Sequence, residues 1–113
     1  MTNSVAKMYA FYNVPEADQA LFEQQFFETH VPLVKRIPGL RSMEFARKPR
    51  NMMGGTSPYY LVVTLTFDNL AALKAGMGSP EGQEAGNNVM SFASNYITLL
   101  SADVEVVESK AVH

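Results

Sequence analysis

The sequence predicts an α+β fold in which a four-stranded antiparallel sheet carries two helices on one face. Four segments alternate in polarity or are rich in β-branched and aromatic residues, as strands are. Two others repeat apolar residues every three or four positions, as amphipathic helices do. The segments follow one another as strand, helix, strand, strand, helix, strand. The 113 residues, 47% of them apolar, are expected to form a single domain, residues 1–113, around one core.

The first strand is predicted from Val5 to Tyr12, where alternation divides the side chains between two faces. Both faces are largely apolar, which favours a strand that is covered on both sides. The turn residues Asn13 and Pro15 end it. One face is expected to carry Lys7, Tyr9 and Phe11, and the other Ala6, Met8, Ala10 and Tyr12.

The first helix is predicted to start at Asp18, a residue type that caps helix N-termini. Phe22, Phe26 and His30 then follow at intervals of four and give the helix one aromatic face. Pro32 lacks an amide hydrogen and disfavours helical angles in the residue before it, so the regular helix is expected to end or kink near His30. The segment 31–37 is expected to be irregular or a short helix.

The rest of the chain supplies three strands and a second helix in two pieces. Asp68 or Asn69 is predicted to cap the first piece, and Ser79 followed by Pro80 restarts the second. The segment 48–58 contains two prolines and two glycines, which is typical of a loop. The predicted strands are Leu40–Lys48, Tyr59–Phe67, which has the strongest pattern, and Ile97–Val107.

This order of elements is that of the ferredoxin-like split βαβ arrangement, βαββαβ. Its helices cover only one face of the sheet. Because several strands are apolar on both faces, the second face should also be buried, most economically against a second copy of the chain. Two sheets facing each other in a homodimer would form a dimeric α+β barrel.

Composition excludes several classes of function. Nine basic and eleven acidic residues give a net charge of -2, so the basic face of a nucleic-acid binder is missing. No apolar run approaches the ~18 residues that cross a bilayer, so no membrane association is expected. The stretch from Met1 to Ala10 lacks the pattern of a secretion signal, and a cytoplasmic location is therefore expected.

No metal and no cofactor are predicted. The chain has no cysteine and one interior histidine, and its carboxylates do not show the spacing of metal ligands. Gly54 and Gly55 do not lie between a strand and a helix, as the glycines of a phosphate-binding loop do. Any chemistry would therefore depend on ordinary side chains and on the reactivity of the substrate.

His30 is the candidate catalytic residue, because it is the only interior side chain whose unperturbed pKa lies near neutrality. In the last turn of a helix its protonated form would be favoured by the helix dipole, which suits a general acid or an oxyanion-binding donor. The alternative is structural: the ring bonds a backbone carbonyl left free by Pro32 and holds the connection in place. The other histidine, His113, is expected to fray.

A ligand cleft between the first helix and the sheet is expected to have an aromatic lining. Phe22, Phe26 and Phe92 are candidates for its apolar wall, and Tyr9 and Tyr60 are the first choices for hydroxyls that point into it. The alternative for the tyrosines is that they only pack. Further candidates for a flexible wall, or simply for core filling, are Met8, Met43 and Met90.

A group of short motifs extends over nearly the whole chain. The most specific is His30-Val31-Pro32-Leu33, four residues after Phe26, and the others are Ile37-Pro38-Gly39-Leu40, Ser57-Pro58-Tyr59-Tyr60 and Ser79-Pro80-Glu81-Gly82. Together they resemble the EthD family, which is named for ethyl tert-butyl ether degradation. The resemblance implies the dimeric α+β barrel superfamily.

The resemblance also implies a role in small-molecule metabolism. Relatives are associated with oxidative breakdown of ethers beside a haem monooxygenase system, with reductase-type activity and with dehydration of polyketides. Three positions depart from the family pattern: Phe26 replaces a frequent tyrosine, Asn88 an acidic residue and Ser91 an asparagine. A mechanism that uses a hydroxyl or a carboxylate at Phe26 or Asn88 therefore lacks that group here.

Two functions compete at this point. The first is a cofactor-independent enzyme of the oxidoreductase or the dehydratase and isomerase type, which binds an ether, aromatic or polyketide-like molecule and transfers a proton through His30. The second is a non-catalytic accessory or carrier protein for a small apolar metabolite. A third, simpler alternative is a dimer whose cavity is filled by its own side chains.

Overall fold

Four strands form one antiparallel sheet in the computed structural model, which describes residues 3–109. The strands are β1 (Asn3–Tyr12), β2 (Ser42–Arg47), β3 (Leu61–Phe67) and β4 (Ile97–Val106). They are paired in the order β2-β3-β1-β4, and each neighbouring pair is antiparallel. This is the predicted ferredoxin-like βαββαβ arrangement, and the prediction of the fold is confirmed. His113 lies outside the described residues.

The first helical segment consists of several pieces with different geometry. After a 3-10 turn (Glu16–Asp18), helix α1 (Gln19–Gln25) passes into a π-helical segment (Phe26–His30) and then into α2 (Val31–Val34). The regular α-helix is thus interrupted before His30, and a short helix follows it, which agrees with the expectation of an end or kink near His30 and with one of the two alternatives for residues 31–37.

Pro32 is accommodated by the π-helical turn that precedes it. The backbone N–H of Val31 donates to the carbonyl of Phe26, five residues back, so the helix is locally widened. Pro32 then occupies the first turn of α2, where a missing amide hydrogen costs no internal bond. Val31 keeps helical angles, φ -56° and ψ -45°, although a proline follows it.

Asp18 does not cap α1 as predicted. Its side chain makes no hydrogen bond to the helix N-terminus, because the 3-10 turn already leads the chain into α1. The Asp18 carboxylate instead accepts a hydrogen bond of 2.6 Å from the Tyr96 hydroxyl. That bond joins the 3-10 turn before α1 to the turn before β4.

The second helical segment consists of α3 (Leu70–Gly78) and α4 (Pro80–Ala93), and both predicted caps are confirmed. The Asn69 side chain accepts from the N–H of Ala72 at 2.8 Å. The Ser79 hydroxyl accepts from the N–H of Gly82 at 3.0 Å and donates to the carbonyl of Gly76 at 2.6 Å. Ser79 therefore closes the end of α3 and opens α4 at the same point.

The two faces of the sheet differ as alternation predicts. On the helix side Ala6, Leu61 and Phe67 are buried, and in β3 buried and half-buried residues alternate without interruption. The opposite side, which we call the open face, carries Tyr9 and Phe11 and is not covered by a helix. The strand β4 is mostly exposed on both sides.

Candidate active site

A cavity of about 60 Å³ lies between the helices and the sheet. Its wall is apolar apart from His30 and Tyr12. Leu99, on the edge strand β4, is 50% exposed, so the cavity reaches the surface at this edge. The lining residues, which come from all four strands and from the helices, are Met8, Ala10, Tyr12, Phe26, His30, Val34, Ile37, Met43, Val63, Leu65, Met77, Ala85, Gly86, Val89, Ile97 and Leu99.

His30 projects from the π-helical segment toward the sheet, as its spacing from Phe22 and Phe26 predicts. His30 is 6% exposed and, within residues 3–109, is the one buried residue whose unperturbed pKa lies near neutrality. Its ring lies 5.4 Å from that of Phe26 and 6.2 Å from that of Phe92, measured between centroids. The imidazole is thus enclosed by aromatic rings and borders the cavity.

Asn88 on α4 is the hydrogen-bond partner of His30. The imidazole Nδ1 lies 3.1 Å from the Asn88 Oδ1. The structural alternative from the sequence, a bond to a backbone carbonyl freed by Pro32, is not what the structure shows. The bond instead connects the π-helical segment to α4, and the two residues are 58 positions apart in the sequence.

Burial lowers the pKa of His30 below its usual value near 6.5, and the hydrogen bond to Asn88, which acts in the opposite direction, offsets only part of that effect. The expectation that a helix end favours the protonated ring is therefore wrong. Helical structure continues to Val34, so His30 does not lie beside the free carbonyls of a helix terminus. The neutral imidazole is the form that this site favours.

The stability of the protein should depend on the protonation of His30. Because the pKa is lower in the folded state, the unfolded chain binds more protons between the two pKa values, and stability rises with pH. The contribution is complete above the unfolded pKa near 6.5 and is lost as pH falls through the folded pKa. Each unit of separation corresponds to about 1.4 kcal/mol in the free energy of unfolding.

Urea unfolding between pH 7.5 and 5.0 measures this dependence. We expect the midpoint to fall with pH in the natural sequence and in His113→Gln, and to fall less in His30→Gln. An equal slope in all three proteins would show that His30 is not held neutral by the fold.

Tyr12 is the tyrosine that lines the cavity, whereas Tyr9 and Tyr60 were the first choices among the tyrosines of the sequence. It is 2% exposed, and burial raises the pKa of its hydroxyl well above the usual range. The hydroxyl of Tyr12 has no hydrogen-bond partner within residues 3–109. It is nevertheless not a completely buried atom, because Thr66 Oγ1 is the one side-chain polar atom in this range that is both completely buried and without a partner. The Tyr12 hydroxyl therefore keeps some accessible surface. Its place on the same strand face as Met8 and Ala10 was the available signal.

The three phenylalanines predicted to line the cleft lie together, but only one reaches the cavity. Phe26, 1% exposed, lines it. Phe22 stacks on Phe26 with 5.5 Å between ring centroids and an interplanar angle of 19°. Phe92 lies 5.9 Å from Phe22 and borders a shallow surface depression with it. Phe22 thus packs against Phe26, and Phe92 contacts the ring of His30, but neither lines the cavity.

Tyr60 does not lie in the cavity, because its hydroxyl is held elsewhere. It donates to the carboxylate of Glu23 at 2.6 Å, and Arg47 donates to the other oxygen at 2.8 Å. The bond to Glu23 raises the pKa of Tyr60. Burial alone would raise the pKa of Glu23, but the hydrogen bonds from Arg47 and Tyr60 and the charges of Arg47 and Lys48 lower it. This cluster fastens α1 to the ends of β2 and β3.

Tyr9 lies on the open face, on the opposite side of the sheet from His30. Its ring centroid is 6.4 Å from that of Phe11, and Phe11 lies 5.2 Å from Tyr59. Alternation fixed which residues share a face with Tyr9 but did not show which face the helices cover. The ligand-binding role predicted for Tyr9 would require a site on the open face.

Methionines form the adaptable part of the cavity wall. Met8 and Met43 line it as proposed, whereas Met90 is 47% exposed and Met77 takes its place. The cavity is large enough for a few water molecules or for one edge of a small ring. Because methionine side chains are unbranched and flexible, rotamer changes of these three would enlarge it at low cost.

Residues 3–109 contain neither a cluster of metal ligands nor a membrane-spanning helix. No group of three or more histidine, aspartate or glutamate residues there could hold a metal ion. No helix in the same range is both long enough and apolar enough to span a membrane.

The fold and the cavity define an α+β protein of the ferredoxin-like class, with a buried histidine beside an apolar cleft between helices and sheet. Residues 14–95 match the family model of the EthD domain. The chain belongs to the EthD family.

Two similar proteins agree with that assignment. One is an uncharacterized 11.0 kDa protein from the thcB–thcC intergenic region of Rhodococcus erythropolis, 38% identical over 97 residues, which are 85% of this chain and 91% of that protein. The other is an EthD family protein from Bacillus halodurans, 35% identical. Its crystal structure matches with a TM-score of 0.79 over 87% of this chain and 96% of that one.

Two solved structures of lower identity share the fold alone. A dimeric ferredoxin-like protein of unknown function from Jannaschia sp. is 21% identical, with a TM-score of 0.60 over 91% of this chain and 99% of that one. SnoaB, a cofactor-independent oxygenase from Streptomyces nogalater, is 14% identical, with a TM-score of 0.61 over 96% of this chain and 97% of that one.

Proposed function

We propose that this protein binds a small apolar organic molecule in the cavity between helices and sheet and that His30 accepts or donates a proton there. The ligand class is ether, aromatic or polyketide-like. The observation that carries the proposal is a buried imidazole on the wall of an otherwise apolar cavity. A neutral imidazole in such a place is suited to acid–base catalysis near neutral pH.

The reactions that fit this site need no bound cofactor. Elimination and isomerisation require only that a proton leave one atom of the substrate and return to another, which a single imidazole can mediate. That SnoaB, with the same fold, is a cofactor-independent oxygenase supports chemistry that depends on the substrate's own reactivity. A part in ether degradation beside a monooxygenase system, oxidoreductase activity and a cytoplasmic location stay predictions from the sequence.

Proton transfer can be tested without knowing the natural substrate. The probe is 2-indanone, an apolar ring ketone with exchangeable hydrogens next to its carbonyl. In D₂O near pH 7, we expect the protein to accelerate the loss of these hydrogens, followed by proton NMR. Because general base catalysis contributes about 10²- to 10⁴-fold, His30→Gln should lose an acceleration of that size.

The matched control is His113→Gln, which removes the other imidazole and should keep the full rate. Exchange that continues unchanged in His30→Gln would sink the catalytic proposal, provided that the variant retains its circular dichroism spectrum.

A carrier protein is the second candidate, and the bond between His30 and Asn88 is the observation that favours it. That bond joins two helices and needs no substrate to explain it. A carrier would bind 2-indanone with unchanged affinity in His30→Gln and would not accelerate exchange in either form. The same experiment therefore separates the two functions.

We also propose that the protein is a homodimer joined through the open face, as a single domain of residues 1–113. This face presents Tyr9 and Phe11 beside Leu100, which pairs with Tyr9 and is 56% exposed. Exposed apolar side chains on one continuous sheet surface favour a protein partner. The Jannaschia protein with this fold is dimeric.

Sedimentation of Leu100→Lys tests the dimer. A lysine buried between two facing sheets should convert the dimer to monomer at micromolar concentration. The control is Leu21→Lys on α1, because Leu21 is also exposed, at 60%, but lies away from the open face. A monomeric mass for the natural sequence, or identical masses for both variants, would refute the proposed interface.

A further inference from the structure

We propose that Asn88 holds His30 as the neutral tautomer protonated on Nδ1, which leaves Nε2 as a hydrogen-bond acceptor at the cavity. The site would then select apolar molecules that carry a phenolic or enolic hydroxyl or an acidic C–H. This selection rests on the proposed function of the cavity, whereas the tautomer follows from the geometry of His30 itself.

The hydrogen bond between the two side chains fixes the proton. The atom of Asn88 that faces the ring is the amide oxygen, at 3.1 Å from Nδ1. An amide oxygen only accepts hydrogen bonds, so Nδ1 must carry the hydrogen. In the neutral ring the second nitrogen, Nε2, is then a lone-pair acceptor.

Nε2 is the ring nitrogen that remains available to a ligand. No hydrogen bond to it is found within residues 3–109, and Nε2 is not among the completely buried polar atoms without a partner. It therefore retains accessible surface on a ring that is otherwise buried and lines the cavity. The proposed acceptor requires that this surface lies on the cavity side of the ring.

The surroundings of the ring disfavour a second proton. Among the other cavity-lining residues, only Tyr12 is titratable, and its raised pKa keeps it neutral. No charged side chain of the described residues contributes to the lowered pKa of His30, which is caused by burial. Phe26 and Phe92, the rings closest to it, carry no charge.

The acceptor at Nε2 determines which ligands gain a hydrogen bond. A phenol or an enol donates its O–H to Nε2. An enolisable ketone can transfer a proton from carbon to Nε2, with the electron pair of the C–H bond passing into the enolate. In a β,γ-unsaturated ketone, return of that proton to the γ-carbon of the dienolate moves the double bond and completes an isomerisation without any co-reactant. A simple ether has no hydrogen to donate and gains no bond from this nitrogen.

Nitrogen-15 NMR of the imidazole tests the tautomer directly. In His113→Gln protein with labelled histidine, His30 is the one remaining imidazole. At neutral pH we expect a protonated, pyrrole-type signal from Nδ1 and an unprotonated, pyridine-type signal from Nε2. The reverse assignment, or an imidazolium, would overturn the inference.

Asn88→Asp tests the positioning role. A carboxylate beside Nδ1 should favour the protonated ring and raise its proton affinity by about tenfold, or one pKa unit. The control is Asn87→Asp, which makes the same change at the neighbouring, exposed position and should leave both signals as they are. Equal effects of the two variants would contradict a direct role for Asn88.

Two probes separate the inference from the proposed function. Phenol, which donates, should shift the Nε2 signal, and anisole, its methyl ether, should not. If the tautomer is as expected but both probes and 2-indanone leave the His30 signals unchanged, the proposed ligand site fails while the assignment of the tautomer stands. An equal shift with anisole would overturn the selection for donors.

Discussion

Replacing Gly82 by alanine is expected to lower Tm by about 10 °C or more. Gly82 lies in the first turn of α4, packed against the end of α3. A Cβ at this position would meet the backbone oxygen of Gly76 and would lie 2.6 Å from that of Met77. Because both neighbours are backbone atoms, the two helices would have to move apart.

The cost combines overpacking with loss of the Ser79 cap, whose hydroxyl accepts from the N–H of Gly82. Together these effects amount to about 3 kcal/mol or more. For a domain of this size that corresponds to at least about 10 °C in Tm, which calorimetry measures.

Gly86→Ala is the matched control, because it makes the same change one turn later in the same helix. A Cβ there meets nothing within 4 Å. We expect it to raise stability by about 0.5 to 1 kcal/mol, since alanine is the better helix former. If both variants lost stability equally, the close approach of α3 and α4 would not be the cause.

Gly86→Leu is expected to abolish ligand binding while leaving His30 and its bond to Asn88 in place. Gly86 lines the cavity, and the space beyond its Cα is open. The added leucine side chain would occupy most of a cavity of about 60 Å³. The proton exchange of 2-indanone should fall to the rate of His30→Gln.

Gly78→Leu is the control for this variant. Gly78, at the end of α3, also has open space around its Cα, but it lies outside the cavity lining. It should retain exchange activity. Full activity in Gly86→Leu would place the ligand site elsewhere.

The parts of the fold that depend on local sequence could be predicted. The β-branched and aromatic residues of β3 identified it as a strand, and Asn69 and Ser79 marked helix starts because their side chains bond the backbone within three residues. His30 was recognised because its spacing from Phe26 determined its helix face. Each of these signals acts over a few positions of sequence.

What the sequence did not reveal depends on contacts between distant segments. Asn88 lies 58 positions from His30, and only tertiary packing brings the two together. Tyr60 was assigned to the cleft because nothing local shows that Glu23, 37 positions away, binds its hydroxyl. Pro32 predicted that the helix ends or kinks near His30, but nothing in the sequence showed that the distortion takes the form of a π-helical turn that continues into α2.

The most direct test of the ligand site is a nuclear Overhauser measurement between 2-indanone and methyl-labelled protein. We predict contacts with Val89 on α4 and Ile97 on β4, whose side chains line the cavity on two sides. Contacts that appear instead at the polar groove beside Thr56 and Tyr60, or at Leu100 on the open face, would contradict the account.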